Sequence, residues 1–314
     1  MAPRTSQKIR VLIVSVLSAL VCPVWAGDVP NNHVLVIGVD GTRPDCLTKA
    51  NTPNFDALIQ AGAYAETTQI LGERYQKNDT VSGPGWSSFL TGVWADKHGV
   101  NDNSFQGKNY EAYPHFFTRL KQCFPKAHTG SFVDWKPIDD HIVSDADVRE
   151  VFESHGADEY TVNDQRVCHE AVRFLSEENP HAVMVYFGAI DETGHRYGFH
   201  PSVPEYIRSI ETVDQRVGQL LSALRARPNS PKENWLVVIS TDHGGQGTGH
   251  SGGHNVPEIR TTFLIVSGPS ARKGVLQEET YVVDVAATAL THLGCEIDKA
   301  WGLDGHPRGL ITFD

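Results

Sequence analysis

Three stretches of this chain are so rich in valine and isoleucine that they call for cover on both faces: HVLVIGVD at 33–40, HAVMVYFGAID at 181–191 and NWLVVISTD at 234–242. They are nearly continuous rather than alternating, which is the pattern of strands buried on both sides of a sheet. RTTFLIVSG at 260–268 is a fourth such run. Segments of helical periodicity lie between them, at 52–63, 166–178, 204–227 and 281–294. Val217, Leu220, Leu221 and Leu224 share one helical face and read as core. Strands alternating with helices predict a three-layer α/β/α sandwich around a mostly parallel sheet. No internal repeat and no low-complexity linker interrupts the pattern. The segment from Gln106 to Glu159 is irregular, with several aromatic and acidic residues; it either covers a site or packs on the sheet.

The first 26 residues read as a secretory signal, with Arg4, Lys8 and Arg10 ahead of an apolar core from Val11 to Val21 and small residues at Val24 and Ala26. The apolar run is short for a membrane span, so no retained anchor is expected. Residues 27–314 are then expected to form one large α/β domain, alone or with a small cap, in a secreted or periplasmic protein. Removing the leader takes away three basic residues and no acidic one, which moves the formal charge from −11 to −14. Such a balance argues against a broad polyanion-binding surface and against binding of nucleic-acid polymers. Four cysteines remain, Cys46, Cys123, Cys168 and Cys295. None forms a CxxC pair; an oxidising compartment allows up to two disulfides, and buried free thiols are the alternative.

Three of the four apolar runs end on an aspartate: Asp40, Asp191 and Asp242. If their strands are parallel, the carboxylates converge on one sheet edge, where ligands of such folds bind. A lone aspartate there is ordinarily a turn former or helix cap. Three of them, two with histidines nearby, point to a metal site. Asp191 and His195 stand in AIDETGHRYG, and Asp242 and His243 are adjacent. His250 follows a flexible GGQGTG loop that can fold back, and His254 competes with it in GHSGGHN. Nitrogen and oxygen donors without thiolates suit zinc, with manganese or iron fitting less well. Six such residues are about the number that two ions need with positions left open for substrate. His33, His128, His141, His155 and His169 fall in no constellation.

A second dense segment reads DTVSGPGWSSFLTGVWADKHGVNDNSF, and Thr80, Ser82, Ser87, Ser88 and Thr91 all offer hydroxyls. Trp86 to Thr91 has helical character. Ser82 precedes it, where backbone N–H groups can hold an anion; the plain alternative is an N-cap or turn serine.

Taken together, VIGVDGTRPDCL, TPNFDALIQAGA, the segment ending in TG and HGV, DETGHRYG, TDHGGQGTGH and FLIVSGP resemble the alkaline phosphatase superfamily, in particular its type I phosphodiesterase and nucleotide pyrophosphatase branch. The resemblance spans nearly the whole chain after the leader. It implies that Ser82, nine residues before Thr91 of the TG pair and two before Pro84, is the nucleophile. It implies one zinc on Asp40, Asp242 and His243, with the Ser82 oxygen as a further ligand, and another on Asp191, His195 and His250, with His254 the lesser candidate for the last position. Asn103 matches the asparagine that binds a non-bridging phosphate oxygen. The implied reaction is hydrolysis of a small phosphate ester through a phosphoserine, helped by two divalent ions, most simply Zn²⁺.

Two departures bear on substrate. The phosphodiesterase branch usually carries threonine where this chain has Ser82, and its asparagine after the nucleophile is replaced by Gly85. A phosphomonoesterase is therefore an alternative. A sulfatase needs a formylglycine motif ending in arginine, and Trp86 stands there. A secreted zinc-binding protein without catalysis is the remaining alternative; it would explain the ligands but not Ser82 and Asn103.

Overall fold

The computed structural model describes residues 31–75 and 77–311. The expected leader lies outside the described residues, and among those described no helix is long and apolar enough to cross a membrane. Eight strands form one sheet: β1 (Asn32–Val39), β2 (Ala63–Gln69), β3 (Thr129–Val133), β4 (Val148–Val151), β5 (Ala182–Phe187), β6 (Asn234–Ser240), β7 (Thr261–Ser267) and β8 (Gly274–Val275). Their order is β4-β3-β5-β1-β6-β7-β2-β8. Only β7 runs against the others, antiparallel to both β6 and β2.

The continuous apolar runs have the expected cause. In β1, Val34 and Val36 face one core together with Trp86, Phe89 and the Asp284–His292 helix. Leu35, Ile37 and Val39 face the other, beneath the long helices Gly156–Glu177 and Pro204–Ala226. Both faces are covered, so alternation is absent and the architecture is the predicted three-layer sandwich.

Several elements differ from the sequence reading. The segment 106–159 is not irregular throughout: it holds the Phe116–Cys123 helix, β3, a π-helical turn at Ile138–Ile142 and β4. β3 reads TGSFV and β4 reads VREV, too short and too polar to stand out as strands. β2 follows directly on the Pro53–Ala61 helix, inside and beyond what periodicity assigned to that helix. The helix expected from 166 begins at Gly156.

One disulfide, Cys123–Cys295, joins the end of the Phe116–Cys123 helix to the turn after the Asp284–His292 helix, across 172 residues of chain. Cys46 and Cys168 are buried free thiols. A crosslink over so long a loop restricts the unfolded chain strongly. Replacing both half-cystines with serine should lower stability by about 3–5 kcal/mol, read from the urea midpoint.

His115 caps the Phe116–Cys123 helix by accepting the Phe117 N–H at Nδ1. Burial, with a smaller effect from Arg149, pushes its pKa down to about 3. The unfolded chain takes up this proton near the ordinary histidine value and the folded chain does not, so the contribution is complete above about 6.5 and is lost as pH falls towards 3. His115→Asn keeps a capping acceptor and removes the titration. Its stability should fall less steeply between pH 6 and 4 than the parent's, by about 1.4 kcal/mol per pH unit in denaturant titrations.

Candidate metal centre and nucleophile

The order β5-β1-β6 sets the ends of the three runs side by side. Val39 pairs with Phe187 and Gly38 with Ser240, and the Asp40 N–H extends the ladder to the Phe187 carbonyl at 3.0 Å. Asp40 thus leaves β1 level with Gly188, where the Ala189–Tyr197 helix starts, and with the Thr241–Asp242 turn after β6. Asp191 and His195 are four residues apart on that helix and share a face. Its first turn is held by Asp164, whose Oδ1 accepts the N–H groups of Gly188 at 3.0 Å and Ala189 at 3.4 Å. Arg216 in turn bonds the other Asp164 oxygen at 3.2 Å.

Two groups result. Asp40, Asp242 and His243 each bring a donor atom within 4.8 Å of the others, and so do Asp191, His195 and His250. The groups adjoin, since the His243 and His250 rings stack with centroids 3.7 Å apart. His254 joins neither: its Nε2 meets the Asn78 carbonyl at 2.8 Å. That contact is one of several that clamp the His250 loop onto residues 78–80. His250 Nδ1 meets the Thr80 carbonyl, Gly253 N–H donates to the Thr80 hydroxyl, and Gly252 N–H donates to Asp79.

The donor chemistry fits cations. All three imidazoles turn Nδ1 to a backbone carbonyl at 2.9 Å: His243 to Gly244, His250 to Thr80 and His195 to Thr248. A carbonyl only accepts, so Nδ1 holds the hydrogen and Nε2 keeps the lone pair in the neutral ring. His195 and His250 then set Nε2 against Nε2 at 3.0 Å, which calls for positive charge between them. Asp40 is held at one oxygen by Trp86 Nε1 at 3.0 Å and the Tyr186 hydroxyl at 2.6 Å. Its other oxygen has no donor, nor do Asp191 Oδ1 and Asp242 Oδ2, all of them buried.

Protons alone satisfy this cluster poorly. Burial, then the Asp191 charge, raises the Asp40 carboxyl; burial, then Asp40, holds Asp242 well above the carboxylate range. Burial would raise Asp191 too, but the His195 hydrogen bond and the neighbouring imidazoles bring it below its usual value. Burial and His243 push His250 down to about 4, while the Asp191 hydrogen bond pushes His195 up to about 9. A divalent ion in each group would compensate the carboxylates and occupy the facing lone pairs at once.

Ser82 lies beside the first group, its Oγ 3.3 Å from His243 Nε2. The helix does not begin at Trp86 as the Gly83-Pro84-Gly85 stretch suggests; Ser82 is its first residue and Thr91 its last. Proline is tolerated there because a first-turn N–H needs no helical acceptor. The backbone offers less to an anion than expected. Gly83 N–H is given to Asn103 Oδ1 at 2.7 Å, Pro84 has none, and Gly85 N–H bonds the Val81 carbonyl. Asn103 accepts with its oxygen, which leaves its amide nitrogen for the cavity that it lines with Ser82, Asp191 and His250.

Two glycines are fixed by this packing. A Cβ at Gly85 would lie 2.8 Å from the Asp242 Cβ, so a larger residue there collides with a site carboxylate. Gly41 has φ of +64°, and a Cβ there would come within 2.4 Å of Asp191 Oδ1. Trp86, Tyr186, Asp164 and the Asp79–Thr80 clamp escaped the sequence reading. The only signal was a tyrosine hydroxyl inside the otherwise apolar β5. Gly41→Ala should therefore push Asp191 out of line. The variant should retain fewer equivalents of divalent metal than the parent after dialysis, and equal metal content would show that this contact does not control the group.

The sequence matches the family described as type I phosphodiesterase / nucleotide pyrophosphatase over residues 34–151 and 130–263. It is 25% identical over 256 residues to the bis(5'-adenosyl)-triphosphatase enpp4 of Xenopus laevis, covering 75% of this chain and 52% of that protein. It is also 25% identical over 262 residues to human ectonucleotide pyrophosphatase/phosphodiesterase family member 7, covering 74% and 53%. The chain thus spans about half the length of these relatives. Among solved structures, murine ectonucleotide pyrophosphatase/phosphodiesterase 5, as an inactive form in complex with AMP, superposes with a TM-score of 0.64 at 16% identity, over 84% of this chain and 96% of that one. A 2-O GAG sulfatase superposes with a TM-score of 0.70 at 16% identity, over 88% and 73%. At such identity these two show a shared fold, common to phosphodiesterases and sulfatases. The sequence match covers most of the described residues, and by it the chain belongs to the type I phosphodiesterase / nucleotide pyrophosphatase family.

Proposed function

We propose that this protein hydrolyses small phosphoric diesters at Ser82, with a divalent metal ion, most simply zinc, in each of the two groups. The observation that carries this reading is the Ser82 hydroxyl at 3.3 Å from His243, next to two adjoining sets of nitrogen and oxygen donors whose lone pairs lack partners. Asp40, Asp242 and His243 would hold one ion, and Asp191, His195 and His250 the other. Bound there, the ions would supply Lewis-acid charge to the Ser82 oxygen and to the phosphoryl oxygens.

Ser82 Oγ attacks phosphorus in line with the departing alcohol, and the bond from phosphorus to that alcohol breaks as the bond to serine forms. Asn103, oriented by the Gly83 N–H, donates its amide to a non-bridging oxygen. Water then cleaves the phosphoserine, returning the hydroxyl and releasing the phosphate monoester. Asp164 and Arg216 keep the Asp191 helix in register during both steps, and the Asp79–Thr80 clamp holds His250 beside the nucleophile helix.

Family membership supports the diester reading over a phosphomonoesterase. Against a sulfatase stands Trp86, which bonds Asp40 at the position where a formylglycine motif carries arginine. The Xenopus relative's name and the AMP bound to the murine structure support a small phosphate ester as substrate. The Cys123–Cys295 disulfide supports an oxidising compartment, secreted or periplasmic. Zinc-loaded protein should hydrolyse bis-p-nitrophenyl phosphate faster than p-nitrophenyl phosphate, and p-nitrophenyl sulfate slowest. Ser82→Ala should lose several powers of ten in kcat at unchanged metal content; near-parental turnover in that variant would remove Ser82 from the reaction.

A further inference from the structure

The cavity over Ser82 encloses about 360 Å³, and no lysine or arginine lines it. The cations closest along the chain are already committed. Lys136, next to the lining Trp135, pairs with Asp140; Arg196, next to His195, pairs with Asp158 at 2.9 Å. Carboxylates in the lining and next to lining residues are not committed in the same way. Glu192 lines the cavity and forms no ion pair with a lysine or arginine among the described residues; burial and the Asp191 charge raise its carboxyl, and His195 counters them. Asp102 precedes Asn103 and accepts only from Ser104. Asp79 accepts from Thr80, Ser251 and Gly252, all neutral donors. Asp79 and Asp102 also lie close enough to feel each other's charge.

The ions of the proposed reaction can neutralise one phosphoryl group. A second or third phosphate on the same substrate would lie in a cavity whose lining, beyond the two donor groups, carries the Glu192 carboxylate and no arginine or lysine to receive it. At physiological salt such charges interact over about 8 Å, the scale of the cavity itself. The ring faces available there, Trp135 and Tyr160, suit an apolar or cationic group instead.

Building on the diesterase reading, we propose that the site takes phosphodiesters carrying a single negative charge, with an uncharged or cationic second alcohol, and turns away substrates that bring further phosphates. Glu192 is the residue that sets this preference from inside the cavity. The selectivity separates this chain from a relative named for a triphosphate substrate.

The test compares thymidine 5'-monophosphate p-nitrophenyl ester with thymidine 5'-triphosphate on the zinc-loaded protein. Both present the same thymidylyl phosphorus. The triphosphate differs in the charge of its leaving group. For the unaltered protein, kcat/KM on the triphosphate should lie well below that on the ester and should rise with added potassium chloride, while the ester rate stays flat. The ratio of the two kcat/KM values should move towards the triphosphate by about tenfold or more in Glu192→Lys, with Glu192→Gln between. Differences in leaving-group chemistry cancel when this ratio is compared between variants. A triphosphate rate equal to the ester rate, a triphosphate rate that falls with salt, or a ratio unchanged by Glu192→Lys would overturn the inference while leaving the diesterase reading intact. No turnover of the ester would overturn that reading and this inference with it. The salt series needs no variant, so a misfolded substitution does not remove the test.

Discussion

Three carboxylates are buried where three neighbouring parallel strands end, and most of the site follows from that arrangement. Asp40, Asp191 and Asp242 repel one another in a region without bulk water, and each has an oxygen with no donor. Such a cluster has to be neutralised, by protons taken up on Asp40 and Asp242 or by compensating cations. Carbonyls occupy Nδ1 of all three imidazoles, so each can turn the Nε2 lone pair to a cation; without one, Asp191 keeps a proton on His195.

The surrounding contacts act on orientation. Asp40 is turned by Trp86 and Tyr186 so that its free oxygen faces Asp242 and His243. Asp164, itself held by Arg216, fixes the start of the helix that carries Asp191 and His195. Asn103 is turned by Gly83, and His250 by Thr80. Apart from His243, whose Nδ1 meets the carbonyl of the next residue, these residues are aimed by partners well removed in sequence, so the geometry is a property of the folded chain and of no single motif.

That division explains what could be read in advance. β1, β5 and β6 were legible because a strand covered on both faces must be continuously apolar, and the aspartates that close them were visible for the same reason. The short strands β3, β4 and β8 were not, since a run of two to five residues, with Arg149 and Glu150 among those of β4, gives no sustained apolar pattern. The start of the Ser82–Thr91 helix was misread because Gly83-Pro84-Gly85 looks like a helix breaker, although a first turn tolerates it. The orienting contacts left almost no trace: Thr80 and His250 are 170 residues apart, and neither hints at the other. Gly85, a departure when compared with the family pattern, makes sense only once Asp242 is seen against it.

The reversal of β7 has a consequence for how this architecture can vary. A crossover between parallel strands must carry the chain back to the far edge of the sheet, so only part of it touches the site. Residues 241–260 instead leave β6 and enter β7 at the same edge, and they contribute Asp242, His243 and His250 on the way. Lengthening or reshaping that excursion alters the surroundings of the reacting centre without any change in strand register. It is a connection through which new selectivity can be grafted while the sheet beneath stays as it is.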